Sequence, residues 1–402
     1  MRDPDFTDDE LAALRRATPG AARRAHFDNA GSALMPATVV ERIRAHLALE
    51  ADVGGYVAEE RTMAEAEDVY RRLAHLLGIQ AEDVALTSSA SEAFARLLHS
   101  VPLAREQVVV TAFNEYVGNY FDLLHRCRRV GAQLRVLPAT GVEHALDIGL
   151  LEEWLNEGNV ALVAIGQVSS SCGQVNDVAA VGRLARAAGV PFLLDASQSL
   201  GQMSVNMREI GCDMLVGTAR KFLRGPRGVG FLAVTPEMRR HLDPVFLMNN
   251  SARWIDAQHF QLRDDARLFE AWEKNVAARL GFGAALALLE EVGIERAGAR
   301  ARRLAGMLRE RLAALPGIEP CDPPGSRAAI VTFRYHGLSA DGIKAALEAQ
   351  DIAVQVSRAE HTPLDLGPRG IDAAVRVSPH YYNTEDEIER LIRAIGRLSS
   401  RV

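Results

Sequence analysis

Short apolar runs rich in β-branched residues recur along the chain, and each is followed by a stretch of helical length. The runs cover 84–87, 107–111, 133–137, 160–165, 191–194, 214–216 and 229–234. Runs of this length bounded by turn formers read as strands buried on both faces. Between them lie helical stretches such as 91–99, 116–130 and 178–188; in the last, Val178, Val181, Leu184 and Ala185 recur at helical spacing. Strands alternating with helices predict an α/β fold with a mostly parallel sheet covered on both sides. After about residue 250 the pattern changes. Two long helices are expected over 266–291 and 295–315, then strand 328–334, helix 340–349, strands 352–356 and 374–377, and helix 385–398. That mixture predicts a smaller α+β unit. A short helix over 8–15 is expected to dock on the surface.

Composition narrows the partners. With 402 residues, 48% of them hydrophobic and 24% charged, the chain can bury a core without disulfide or metal staples. A net charge of −6 gives no electrostatic reason to expect nucleic acid or an anionic membrane. The four cysteines form no CxxC pair, so neither a disulfide framework nor a structural zinc site is expected, and no metal is assigned. The N-terminus is acidic and lacks an apolar signal region, and no apolar stretch approaches the ~20 residues of a membrane span. A cytoplasmic protein is expected.

Two segments carry the chemistry. In the first, Phe192-Leu193-Leu194-Asp195 is an apolar run ending in an acid. Ligands of open α/β sheets sit at the carboxyl ends of strands, so Asp195 either contacts a cofactor or caps a helix. In the second, a strand-like run leads through Thr218-Ala219-Arg220-Lys221 into a glycine-punctuated loop that includes Gly225 and Gly228. One chemistry joins the two segments. Pyridoxal phosphate needs a lysine for its Schiff base and an acid opposite its pyridine nitrogen. Its phosphate needs hydroxyls, backbone N–H groups and a cation, and Thr218 and Arg220 can supply some of these.

The chain resembles the class V aminotransferase family of fold type I pyridoxal-phosphate enzymes. The stretches that carry the resemblance are His26-Phe27-Asp28-Asn29-Ala30-Gly31, Thr87-Ser88-Ser89-Ala90-Ser91-Glu92-Ala93, Asn114-Glu115-Tyr116, Gln167-Val168-Ser169, Asp195-Ala196-Ser197-Gln198, Thr218-Ala219-Arg220-Lys221 and Arg376-Val377-Ser378-Pro379-His380-Tyr381-Tyr382. Asp52-Val53-Gly54-Gly55-Tyr56 and the segment after Lys221 are similar to the hercynylcysteine sulfoxide lyases and to members near isopenicillin N epimerase. Arg267-Leu268-Phe269-Glu270-Ala271-Trp272-Glu273 resembles that wider group.

The resemblance implies a seven-stranded, mostly parallel sheet in a large cofactor-binding domain over 25–265, with 1–24 and 266–402 forming the small domain. It implies a homodimer acting on a small amino-acid substrate. It assigns Lys221 to hold the cofactor and shuttle the proton, and Asp195 to pair with the pyridine nitrogen. Gln198 and Ser170 fall near the phenolic oxygen, although relatives often carry Asn at the latter position. Ala90, Ser91, Thr218 and Arg220 surround the phosphate, with Arg220 where relatives often have His. Tyr116 takes the place of a stacked ring, unless it is a core aromatic. Arg376, assisted by Arg358, grips the substrate carboxylate, unless Arg376 serves a surface ion pair. Tyr56 and Asn29 complete the substrate side.

Desulfurases of this family hold a persulfide-forming cysteine in the loop matching 356–363. Here that loop has no cysteine, and Pro363 falls near the aligned position. The expected activity is therefore a carbon–sulfur lyase: Cα deprotonation and β-elimination from a cysteine S-conjugate or sulfoxide, giving pyruvate and ammonia. The alternatives are an epimerase or aminotransferase of the same family, then a cysteine desulfurase or selenocysteine lyase. A catalytically silent scaffold is disfavoured by the intact Asp195 and Lys221.

Overall fold

The computed structural model describes residues 5–398, so the outermost positions of the expected small domain, 1–4 and 399–402, lie outside the described residues. Seven strands form the central sheet: β1 (Val84–Thr87), β2 (Val108–Ala112), β3 (Gln133–Leu137), β4 (Val160–Gly166), β5 (Phe192–Asp195), β6 (Met214–Thr218) and β7 (Gly230–Val234). Their spatial order is β1-β7-β6-β5-β4-β2-β3. Only β7 runs antiparallel to its neighbours; the other pairings are parallel.

Alternate residues of the central strands enter different cores, as the pleat requires. Val108 and Val110 join the core on one face, together with Val163, Ile165, Phe192 and Leu194. Val109 joins the other, together with Leu162, Ala164 and Leu193. Both faces are buried under helices, so these strands read as unbroken apolar runs. Helix Val178–Ala188 illustrates the cover. Asp177 caps it by accepting the Ala180 N–H, Val178, Val181 and Ala185 face the sheet, and Gly189 ends it in the left-handed conformation.

A third core lies on a four-stranded antiparallel sheet of β8 (Ile318–Pro320), β9 (Val331–Tyr335), β10 (Gln355–Arg358) and β11 (Ala373–Val377), ordered β8-β9-β11-β10. Helices Ile294–Ala313, Ala340–Glu348 and Glu385–Gly396 contribute to it. Ala25 and Phe27 are buried in this same core, and residues 25–26 pair in parallel with 352–353. Helix Val276–Val292 instead buries Ala278, Phe282, Leu286 and Leu289 in the first core.

The helix expected over 266–291 is divided. A short 3-10 turn covers Ala266–Phe269, Glu270 is extended, and the helix proper begins after its Asn275 cap. The cause is a tertiary demand on Glu270. One carboxylate oxygen accepts the Tyr70 hydroxyl and the Leu86 N–H, both at 2.7 Å, and the other accepts Arg279 at 2.9 Å. Arg279 also donates to the Leu86 carbonyl. Both charged side chains are buried. Glu270→Ala strands the Arg279 cation inside the protein, which is expected to cost ~3–5 kcal/mol. Chemical denaturation checks this; a loss below about 1 kcal/mol would show that the pair is dispensable.

Among the described residues, no helix is long and apolar enough to cross a membrane. Nor does any group of three or more His, Cys, Asp or Glu side chains suit a metal ion.

Candidate active site

The carboxyl ends of β4, β5 and β6 and the turn after β1 converge on one cavity. Its lining includes Ser89, Ala90, Ser91, Asn114, Glu115, Tyr116, Asn119, Ser170, Asp195, Ser197, Gln198, Thr218, Arg220 and Lys221. Nine residues singled out in the sequence thus meet here: Ala90, Ser91, Tyr116, Ser170, Asp195, Gln198, Thr218, Arg220 and Lys221.

The turn after β1 enters helix Ala90–Ser100 with Ser89 as its cap, the Ser89 hydroxyl accepting the Glu92 N–H at 3.1 Å. The first intrahelical bond runs from the Ala93 N–H to the Ser89 carbonyl, so the Ala90 and Ser91 N–H groups point ahead of the helix. Such a helix start suits an anion. Gly230 of β7 lies directly beneath it, where a Cβ would overlap the Ser89 carbonyl carbon. Glycine is what lets β7 support this turn.

Asp195 ends β5. Its Oδ1 accepts the Ser197 N–H and its Oδ2 accepts Asn119 Nδ2, both at 2.8 Å. Lys221 follows β6, and its side chain makes no hydrogen bond or ion pair to the described residues. Burial pushes its amine down to about 7; Asp195 opposes the shift, while Arg220 and Arg376 add to it. Burial, then Arg227, likewise depresses the Arg220 guanidinium, which donates to the Gly31 carbonyl.

These features fit pyridoxal phosphate. The amine is shifted toward its neutral, nucleophilic form. An acid stands close enough to act on it, and a helix start is open to a phosphate. Two lining atoms, Gln198 Oε1 and Ser197 Oγ, are buried with no hydrogen-bond partner. Buried polar atoms without partners are rare, and a polar cofactor can satisfy both.

The remaining sequence candidates lie outside this lining. Asn29 is fully buried in the framework, donating to the Ser378 carbonyl at 2.6 Å and accepting the Tyr382 hydroxyl. Arg376 donates to Asp28 at 3.0 Å and to the Ser170 carbonyl at 2.9 Å, beside the cavity. Arg358 turns to Asp341 at 2.6 Å and is exposed to solvent. Tyr56 is 79% exposed and lines a separate cleft with Trp272 and Lys274. Asp28, Glu115 and Asn119 received no role in the sequence reading. Glu115 lies in the turn before helix Val117–Val130 and Asn119 in its first turn, and the contact between them is a fact of the fold rather than of spacing along the chain.

The loop after β10 is fastened down. The Thr362 hydroxyl donates to Ser171 Oγ at 3.0 Å, and Arg369 holds the buried Asp365 at 3.1 Å. Leu366 and Ile371 are buried with Cys321 and Ala374. Cys172 lies under this loop with its sulfur 3.3 Å from Asp365 Oδ2, and burial followed by the Asp365 charge pushes its thiol upward. All four cysteines are buried.

Comparison with known proteins bears on the whole chain. A probable cysteine desulfurase of Methanothermobacter thermautotrophicus is 27% identical over 344 residues, covering 84% of each chain. A probable cysteine desulfurase of Xylella fastidiosa is 29% identical over 378 residues, covering 92% of this chain and 89% of the relative. The apo structure of a cysteine desulfurase from Thermococcus onnurineus superposes with a TM-score of 0.90 at 23% identity over the full length of both chains. A cystine C–S lyase in complex with cysteine persulfide superposes with a TM-score of 0.85 at 20% identity, covering 94% and 99%. These relatives are desulfurases and a cystine lyase rather than sulfoxide lyases or epimerases, which corrects the narrower placement expected from the sequence. The family described as aminotransferase class-V matches residues 25–391, and the chain belongs to that family of pyridoxal-phosphate enzymes.

Proposed function

We propose that the protein is a carbon–sulfur lyase that cleaves the Cβ–S bond of a cysteine-derived amino acid, expelling a thiol from an S-conjugate or a sulfenic acid from a sulfoxide, with the remaining three-carbon fragment taking up water to give pyruvate and ammonia. The observation that carries this reading is the fastened loop after β10. It has no cysteine, and the nearby Cys172 is sealed beneath it with its thiolate disfavoured by burial and by Asp365. Transfer of sulfur to a protein thiolate needs an accessible nucleophile, whereas elimination needs none.

Pyridoxal phosphate, when bound, supplies the electron sink for cleavage at Cα. In this proposal the chain does the rest. The Lys221 amine attaches the cofactor and moves the proton of the substrate Cα. Asp195 holds a proton on the pyridine nitrogen. Ala90, Ser91, Thr218 and Arg220 hold the phosphate, Gln198 and Ser170 the phenolic oxygen, and Tyr116 covers the ring. Arg376 binds the substrate carboxylate after exchanging its Asp28 contact. Arg358 and Tyr56 reach substrate only if their present exposed positions change, and Asn29 acts by holding Ser378. A homodimer belongs to the proposal, supported by the exposed apolar side chains of Phe246, Trp254, Ile255 and Phe260. Four unpaired cysteines support a reducing, cytoplasmic setting.

A second reading, cysteine desulfuration, is favoured by the relatives described above, which are probable cysteine desulfurases. Incubating the holoenzyme with a panel of cysteine S-conjugates and sulfoxides, and measuring pyruvate, tests the first. A variant with all four cysteines replaced by Ser or Ala is expected to keep carbon–sulfur cleavage within a few-fold, allowing for modest packing losses. Persulfide on Cys172 during turnover, with activity lost in Cys172→Ala, would reverse the choice.

A further inference from the structure

Glu115 has no part in the roles assigned above, yet it is 4% exposed and sits one strand away from Asp195. It lies in the turn between β2 and helix Val117–Val130. Its Oε1 accepts the Tyr116 N–H at 3.0 Å and Asn119 Nδ2 at 2.9 Å, and its Oε2 accepts the Gly166 N–H at 2.9 Å. The same Asn119 nitrogen donates to Asp195 Oδ2 at 2.8 Å. An amide nitrogen has two hydrogens, so Asn119 gives one to each carboxylate. Gly166 ends β4, the strand between the two acids. A buried carboxyl is costly to place, and an apolar side chain would fill the same space at less expense. What an apolar side chain cannot do is hold an amide in a fixed rotamer from one side while that amide holds an acid on the other.

We propose that Glu115 is a positioning residue: through the shared Asn119 amide it fixes Asp195, and through the Tyr116 N–H it fixes the base of the Tyr116 side chain, so that one carboxylate aligns two groups of the cofactor site. The inference rests on the pyridoxal-phosphate reading of that site. Burial first, and the Asp195 charge second, push the Glu115 carboxyl up to about 7. Asp195 is the charged group that faces it across Asn119; Lys221 faces Asp195 in turn, with Arg220 and Arg376 acting on Lys221. Protonation below about pH 7 places a hydrogen where the network needs an acceptor. The alignment is therefore complete above that pH and loosens below it.

The test uses purified chain with pyridoxal phosphate added, read by affinity for the cofactor and by the circular dichroism of its visible band. Glu115→Gln keeps one acceptor oxygen but sets an amide against the Gly166 N–H, and Asn119→Ala cuts the bridge while leaving both carboxyls in place, each short of one donor. Each variant is expected to weaken cofactor binding by about tenfold or more and to alter the dichroism in the same sense. The double variant is expected to lose no more than the worse single one. The dichroism of wild type should change between pH 8 and pH 6, and that of Glu115→Gln should not. A merely structural role lowers the melting temperature and leaves affinity and dichroism of the folded protein alone; that result overturns the proposal, as do additive losses. If Glu115→Gln does not fold, Asn119→Ala decides by the same two readouts. A wild-type chain that takes up no cofactor defeats the parent reading, whereas normal uptake with silent variants defeats this inference only.

Discussion

Lys221→Ala is expected to abolish covalent attachment of the cofactor and to lower turnover by about 10²–10⁴-fold or more, the scale of losing a positioned proton-transfer group. The amine lines the cavity on a partly buried residue, is free of hydrogen bonds to the described residues, and is held near neutrality at about 7. Borohydride reduction should fix pyridoxal phosphate to wild type at Lys221 and leave Lys221→Ala unlabelled. Lys221→Arg is the informative companion, because a guanidinium keeps the positive charge but stays protonated; it too should remain unlabelled. The same amine predicts a stability signature in the cofactor-free chain. Its folded pKa is depressed, so between about 7 and its ordinary value near 10.5 the unfolded chain binds the extra proton. Stability contributed by this site therefore rises with pH across that window, by up to about 1.4 kcal/mol per pH unit. The difference between wild type and Lys221→Ala in denaturation experiments should carry that slope. Labelling of another lysine in the variant, or equal pH slopes in the two proteins, would remove Lys221 from the role.

The parts of this protein legible in its sequence are those fixed by local chemistry. The strands of the large sheet are buried on both faces, so they stand out as apolar runs, and β1 and β3 fall at 84–87 and 133–137 as the pattern predicts. Asp195 is legible because it ends an apolar run, and Lys221 because it stands between a strand-like run and a glycine-punctuated loop. The parts that were not legible depend on contacts between residues far apart in the chain. Glu270 interrupts a helical pattern because Leu86, Tyr70 and Arg279 require its carboxylate. Arg358 reads as a substrate ligand by position, but Asp341 of the neighbouring helix takes its guanidinium. Asn29, a good candidate by residue type, is consumed by Ser378 and Tyr382. The Glu115–Asn119–Asp195 bridge needs β2, β4 and β5 side by side before it exists, and nothing in the spacing along the chain announces that Asn119 serves two acids.

Asp195→Ala should leave the fold standing and remove most of the activity. The backbone around it is held independently: the Gln167 N–H donates to the Asp195 carbonyl and the Ala196 N–H to the Val216 carbonyl. What disappears is the carboxylate, and with it the acceptor for Asn119 and for the Ser197 N–H. Removing one preorganised electrostatic partner typically costs ~3–4 kcal/mol of barrier, or about 10²–10³ in rate. Asp195→Asn preserves shape and removes charge, so it separates the two contributions; if charge is what matters, it should fall nearly as far as Asp195→Ala. Neighbouring groups should report the change as well. Asp195 holds the Lys221 amine up and pushes the Glu115 carboxyl up, so without it both should titrate lower than about 7. In a pH–rate profile of Asp195→Asn the acid limb should therefore move to lower pH while the plateau drops. A variant that keeps near-normal turnover with an unmoved acid limb would show that the anion at the end of β5 is not the group on which the chemistry depends.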